Sequence, residues 1–155
     1  KVDVACNLDI NCYRGREGLQ LVLKDIRLSQ SQQQRQWGDV RFYQALCRRQ
    51  PVDKNALEAV IPCREKFVAV YRYIRQNGNG TFRGNLRVLN RDITWYSKSQ
   101  VDFTTMMICF DVLKEFELID YRAEKEIITI ELMEKEGKVN LNHSAILRRL
   151  REMCS

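Results

Sequence analysis

Val2-Asp3-Val4-Ala5-Cys6-Asn7-Leu8-Asp9-Ile10 is the stretch on which the reading of this chain turns. Val2, Val4, Cys6, Leu8 and Ile10 fall on every second position, with Asp3, Asn7 and Asp9 between them. That period of two is the pattern of a strand with one covered and one wetted face. A polar loop, Asn11 to Gly18, follows and holds Gly15 and Gly18, residues suited to reversing a chain. Alternation then resumes with Leu19, Leu21 and Leu23, extended by Ile26, and with Gln20 and Lys24 opposite. Together the two runs predict a β-hairpin. An isolated hairpin is marginal in water, so the pair either packs on the chain that follows or closes a sheet whose other strands precede it. The second is the expectation.

Bulk properties fit that expectation. With 155 residues and a hydrophobic fraction of 45%, the chain can bury a core. Nowhere does it approach the roughly 18 uninterrupted apolar residues of a membrane span. Its first residues, Lys1-Val2-Asp3-Val4, resemble neither an export signal nor a start of translation, so the chain is expected to be cut from something longer. Net charge is +6 and the isoelectric point is near 9.1. The charge is uneven: nine acids and four bases lie between Phe110 and Glu136, leaving the rest strongly basic. A basic body suits a polyanion on one face, although an ordinary solvated surface has the same composition. The cysteines, Cys6, Cys12, Cys47, Cys63, Cys109 and Cys154, lack the two-residue spacing of a zinc or redox pair. Several sit at apolar positions, as a reduced, structural thiol would in the cytoplasm.

Beyond the hairpin, the Gln-rich Ser29 to Gln36 shows no apolar periodicity and is read as a linker. A helix is expected from Asp39 as N-cap, with Val40, Tyr43, Leu46 and Cys47 on one stripe and Arg48 and Arg49 at its end, stopped by Pro51. Asp53 caps a short second helix to Val60. Pro62 to Gln76 spaces Phe67, Val70, Tyr71 and Ile74 as a strong helix, with Arg64, Arg72 and Arg75 off the stripe. A short strand from Thr81 and a brief helix around Asn85 to Asn90 lead to a long helix opened by Ser99 to Asp102 and running to about Phe116. Two strands follow, the second over Ile127 to Leu132, and Asn142 or Ser144 caps a last helix through Met153. Helix, helix, long helix and ribbon is the order of a winged-helix domain. The ribbon turn, however, carries Glu124, Lys125 and Glu126, a poor grip for phosphate.

No catalytic constellation emerges. His143, the one histidine, lies beside a helix cap; no Cys/His cluster exists; and Gly78 and Gly80 follow a helix, where a phosphate loop would precede one. Single-strand binders combine basic grooves with aromatic platforms. On that pattern the candidate nucleic-acid contacts are Tyr13, Arg14 and Arg16 at the hairpin tip, then Arg35, Trp37 and Arg41, then Arg48, Arg49, Arg72 and Arg75. Trp37, Phe42 and Tyr43 suit base stacking and equally suit anchoring the linker to a core. Trp95 and Tyr96 suit either core or surface.

The phrases Leu8-Asp9-Ile10-Asn11-Cys12-Tyr13-Arg14-Gly15 and Leu19-Gln20-Leu21-Val22-Leu23-Lys24-Asp25-Ile26-Arg27 resemble the closing strands of the OB-fold domain in RecJ-type exonucleases. Trp37-Gly38-Asp39-Val40-Arg41, Pro62-Cys63-Arg64-Glu65-Lys66-Phe67 with Tyr71, and Val112 to Ile119 resemble the extra C-terminal domain of Firmicutes-type members. The resemblance spans nearly the whole chain. It implies a parent that degrades single-stranded DNA from the 5′ end with manganese or magnesium held by a DHH-type core. No Asp-His-His occurs here, so no catalysis and no cofactor carries over to this chain.

The expected fold class is therefore α+β: an OB-fold-derived β-hairpin over 1–28, a linker with a short helix over 29–50, and a winged-helix-like domain over 51–155. The expected role is accessory to a 5′-to-3′ exonuclease of recombination and repair, through single-stranded DNA contact or docking to a replication or repair protein, with no membrane. Two other classes fit the element order. One is a duplex-DNA regulator, for which Thr104, Thr105, Asp111 and Glu115 are poor contacts on the third helix. The other is a protein-interaction module using the acidic ribbon.

Overall fold

The computed structural model describes residues 2–28, 30–97, 100–135, 137 and 139–154, with the side chains of 28 and 30–37 outside that description. Helices and strands are mixed. The chain divides into two compact units, Lys1–Gly38 and Asp39–Ser155.

In the first unit, β1 (Val2–Tyr13) pairs antiparallel with β2 (Arg16–Leu28). Arg14 and Gly15 alone make the turn, at φ +53° and +74°. A two-residue loop with both central residues left-handed matches the strands' own twist. The loop expected over Asn11 to Gly18 is thus mostly strand: Cys12 pairs with Glu17 and Tyr13 with Arg16. Farther along, Ala5 pairs with Asp25 but Cys6 pairs with Leu23, so Lys24 is an extra, bulged residue. An extra residue switches which face the following side chains take. Leu19, Leu21 and Leu23 have odd numbers and Ile26 an even one. Because of the bulge, all four share a face with Ile10, Leu8, Cys6 and Val4, their cross-strand partners. That face is open. Leu19 is 80% exposed and Leu8 71%, and every residue of β1 is exposed.

The second unit runs from the C-terminal half of α1 (Gln30–Cys47) through α2 (Lys54–Val60), α3 (Arg64–Asn77), β3 (Thr81–Asn85), α4 (Leu86–Ser97), α5 (Phe103–Glu115), β4 (Ile119–Glu124) and β5 (Ile127–Leu132). A single 3-10 turn, Leu141–His143, then leads into α6 (Ala145–Cys154). The three strands form one antiparallel sheet in the order β3-β5-β4. Caps fix the helix starts. The Asp53 carboxylate accepts from Ala56 N at 2.8 Å, Asp102 from Thr105 N at 2.8 Å, and Asn85 Oδ1 from Arg87 N at 2.9 Å. Phe67, Val70 and Ile74 of α3 and Leu86, Leu89 and Ile93 of α4 turn inward onto α5 and the sheet.

α5 is the centre of this unit. Thr104 to Phe110, Val112 and Leu113 are all buried, which is the condition of a helix apolar on every side. Its two threonines sit inside because their hydroxyls have acceptors. Thr104 Oγ1 donates to Asp39 O at 3.0 Å, and Thr105 Oγ1 to Val60 O at 2.9 Å. Each fully buried large side chain here, Phe110 or Met106 for example, stabilises the fold by about 1.5–3 kcal/mol.

Three expectations need correction. Ser29 to Gln36 is not an irregular linker: from Gln30 it is the first half of α1, and Asp39 lies inside that helix rather than capping it. Gln is a good helix former, and the half from Asp39 onward is held by the core, so the helix propagates backward at little cost. The division between the compact units falls between Gly38 and Asp39, within this helix. The brief helix expected at Asn85 to Asn90 extends to Ser97.

Candidate nucleic-acid interface

The hairpin turn sets its own geometry. With Arg14 in the left-handed region, its guanidinium comes to lie 5.3 Å from the centroid of the Tyr13 ring. Arg16 is the direct cross-strand partner of Tyr13. One exposed ring and two guanidinium groups therefore share a tip of four residues. A cation over an aromatic face holds the ring and leaves N–H donors for a phosphate oxygen.

The other candidates are spread over the second unit. Arg41 is exposed on α1; Arg48 and Arg49 are exposed just past its end, with Arg49 at φ +56°. Arg72 and Arg75 are exposed on α3, away from Phe67, Val70 and Ile74. Arg35 and Trp37 have side chains outside the described residues. The structure thus brings Tyr13, Arg14 and Arg16 together and leaves the remaining arginines as short runs on separate helices.

Phe42 and Tyr43 are core anchors. Both are half-buried against the core, and the Tyr43 hydroxyl donates to Asp111 Oδ2 at 2.7 Å. The Tyr121 hydroxyl donates to the other oxygen, Oδ1, at 2.5 Å. Burial first, and then the Asp111 charge, push both phenols well above the usual tyrosine value, so both stay protonated donors. The carboxylate of α5 thereby ties α1 to β4. Sequence inspection missed this triad because its members are 68 and 10 residues from Asp111.

Among the described residues no other reactive cluster is assembled. The Cys109 thiol is buried, which raises its pKa and makes it unreactive. His143 is exposed in the turn before α6. Among the described residues no three His, Cys, Asp or Glu side chains group to hold a metal ion. At the ribbon, Glu126 is held by Arg87 at 3.3 Å and by the Asn85 amide at 3.3 Å. A shallow depression on the sheet is lined by Arg83, Arg122 and Lys125 but also by Asp120, Glu124 and Glu131, so acids cancel bases there.

Two exposed aromatics, Trp95 and Tyr96, were left open by sequence. Trp95 is 86% exposed on α4, on the side opposite Leu86, Leu89 and Ile93. Helical spacing counted from Leu86 puts it there, provided the helix is carried to Ser97.

No family model matches the chain, and neither a curated protein nor a solved structure matches it. No helix among the described residues is long and apolar enough to cross a membrane.

Proposed function

We propose that this chain is the non-catalytic C-terminal part of a RecJ-type 5′-to-3′ exonuclease of recombination and repair, contributing single-stranded DNA contact or partner docking. The observation that carries this is the hairpin's apolar face. A bulge at Lys24 keeps Ile26 in line with Leu23, Leu21 and Leu19, although nothing in the hairpin itself covers that face. Such alignment makes sense for two strands that close an OB-type barrel, whose rim then presents Tyr13, Arg14 and Arg16 to a nucleotide chain. The manganese or magnesium of such an enzyme has no fitting donor set among the described residues, and no step is routed through it.

The order α3-β3-α4-α5-β4-β5, with the sheet ordered β3-β5-β4, supports a winged-helix-like assignment for the second unit. Duplex reading is disfavoured by the same unit. In a winged-helix domain α5 would be the groove-reading helix, yet Thr104 to Phe110 are buried, and the ribbon turn offers Glu124 and Glu126.

Fluorescence anisotropy of a labelled oligonucleotide, titrated with the chain at about 50–200 mM salt, tests DNA contact. Binding should weaken with salt at a slope of roughly −0.7 per phosphate contacted, and R14A/R16A should flatten that slope by one to two such contacts. Absence of binding at low salt removes the DNA-contacting version and leaves docking.

A further inference from the structure

α4 carries an aromatic that its fold does not need. Leu86, Leu89 and Ile93 fill the inward stripe, and Val88, Arg91 and Trp95 line up on the opposite side at i, i+3 and i+7. Trp95 is 86% exposed, so its indole ring is available on both faces and along its edge. Tyr96 beside it is also exposed and meets Tyr73 of α3 edge-on, centroids 5.6 Å apart, while its hydroxyl reaches Gln76. The charged residues next to this aromatic group on α4 are Arg91 and Asp92. Among the described residues Arg91 pairs with its neighbour Asp92, at 2.8 Å, a surface pair that holds little free energy and leaves guanidinium donors over. Arg72 is exposed beside Tyr73.

The surroundings decide which partner fits. The exposed apolar side chains beside Trp95 along the helix are Val88 and Tyr96, and its other described neighbours there are Arg91, Asp92, Thr94 and Ser97, so the aromatics stand among polar residues and not in the broad apolar patch of a protein interface. An exposed π-face with a cation one turn away is what a stacked base with its phosphate requires, since every base has a face and every link a negative charge. We propose that the outer face of α4 is a stacking platform for single-stranded nucleic acid: Trp95 takes one base on its indole face and Arg91 the adjoining phosphate. This rests on single-stranded DNA contact by the chain, and it adds a second contact surface, carried on the second unit, to the hairpin tip.

Replacing Trp37 with Phe leaves Trp95 as the only indole reporter, because the chain has two tryptophans. This variant is titrated at low salt with an oligothymidylate and, in parallel, with an abasic strand of equal length. Stacking predicts that Trp95 emission is quenched by the first and not the second, saturating together with anisotropy. Trp95→Ala should weaken oligothymidylate binding roughly 5- to 150-fold, the range for one lost base stack, and Trp95→Tyr should recover most of it. Saturable binding with unchanged Trp95 emission, or equal affinities for the two strands and for Trp95→Ala, overturns the platform while leaving DNA contact intact. Absence of binding by the wild-type chain overturns both. Trp95 makes no core contact, so a matching melting temperature verifies that Trp95→Ala is folded.

Discussion

Replacing Asp111 should unfasten α1 from the rest of the second unit. Its two carboxylate oxygens accept from the Tyr43 and Tyr121 hydroxyls, at 2.7 and 2.5 Å, and the two hydroxyl oxygens are 3.5 Å apart. A hydrogen bond to a charged acceptor contributes about 1.5–3 kcal/mol, and the half-buried setting argues for the lower end. Tyr43→Phe and Tyr121→Phe should therefore each cost about 1.5 kcal/mol. Asp111→Ala loses both bonds and leaves two half-buried hydroxyls without a charged acceptor, about 3–4 kcal/mol. The double variant Y43F/Y121F should depart from additivity, because the two hydroxyls share one acceptor. Urea unfolding followed by far-ultraviolet circular dichroism reads these numbers, and thermal melts should fall by roughly 4 °C per kcal/mol for a unit of this size. Amide exchange adds a local check: Asp111→Ala should loosen α1 around Phe42 to Leu46 before it loosens α5. If all three single variants unfold within about 0.5 kcal/mol of wild type, the carboxylate does not fasten α1.

Alkaline pH should act on the same triad. Both phenols are raised in the folded state, so the stability they contribute is fully present below the unfolded tyrosine value near 10 and is lost as pH climbs toward their folded values. Stability should fall above about pH 10, by up to about 1.4 kcal/mol per pH unit for each phenol, and Y43F/Y121F should flatten the fall. Absorbance at 295 nm should show these two of the six tyrosines ionising only with unfolding. At α6, Ser144 Oγ accepts from Leu147 N at 3.1 Å and donates to Glu115, whose other oxygen accepts from Ala145 N at 2.7 Å. Ser144→Ala should cost about 1–2 kcal/mol in urea unfolding. On the hairpin, Leu21→Ser should leave the melting temperature of the second unit unchanged and lower the binding of a hydrophobic dye, whereas Ile130→Ser in the sheet should destabilise that unit severely.

How far the sequence discloses this molecule depends on the range of the interactions. Strands β1 and β2 are legible because their pattern is local: Val4, Cys6, Leu8 and Ile10 alternate, and Leu19, Leu21 and Leu23 answer them. Even the parity break at Ile26 is visible, although the bulge that repairs it requires knowing which residue faces which. Phe67, Val70 and Ile74 announce α3 in the same way. Gln30 to Gln36 has no apolar stripe, and its helicity is inherited from Phe42 to Leu46 farther along, so a local reading sees only polar chain. Tyr43 shows the limit at the site. As a sequence feature it sits among arginines and another aromatic and resembles a stacking residue. Asp111, brought across by the fold, turns it inward and makes it a fastener.

The same logic bears on where this chain can meet a polyanion. Burial of α5 withdraws the helix that a groove-reading domain would present, and chemistry supports that burial: the Thr104 hydroxyl donates to Asp39 O of a covering segment, and the Thr105 hydroxyl has both Val60 O and the Asp102 carboxylate within reach. Uncovering that face for DNA would strand the Thr104 hydroxyl and expose Met106 and Met107, at a cost of several kcal/mol before any contact formed. Surfaces outside the core carry no such cost. The Tyr13–Arg14–Arg16 tip and the Trp95–Arg91 face are already solvated, the first with a guanidinium over its ring and the second with an arginine one helical turn from its ring. Rings serve unpaired bases, whose faces are free, and are of little use against a stacked duplex. On the function proposed here, the arrangement of the aromatics, more than the net charge of +6, is what favours single strands over duplex.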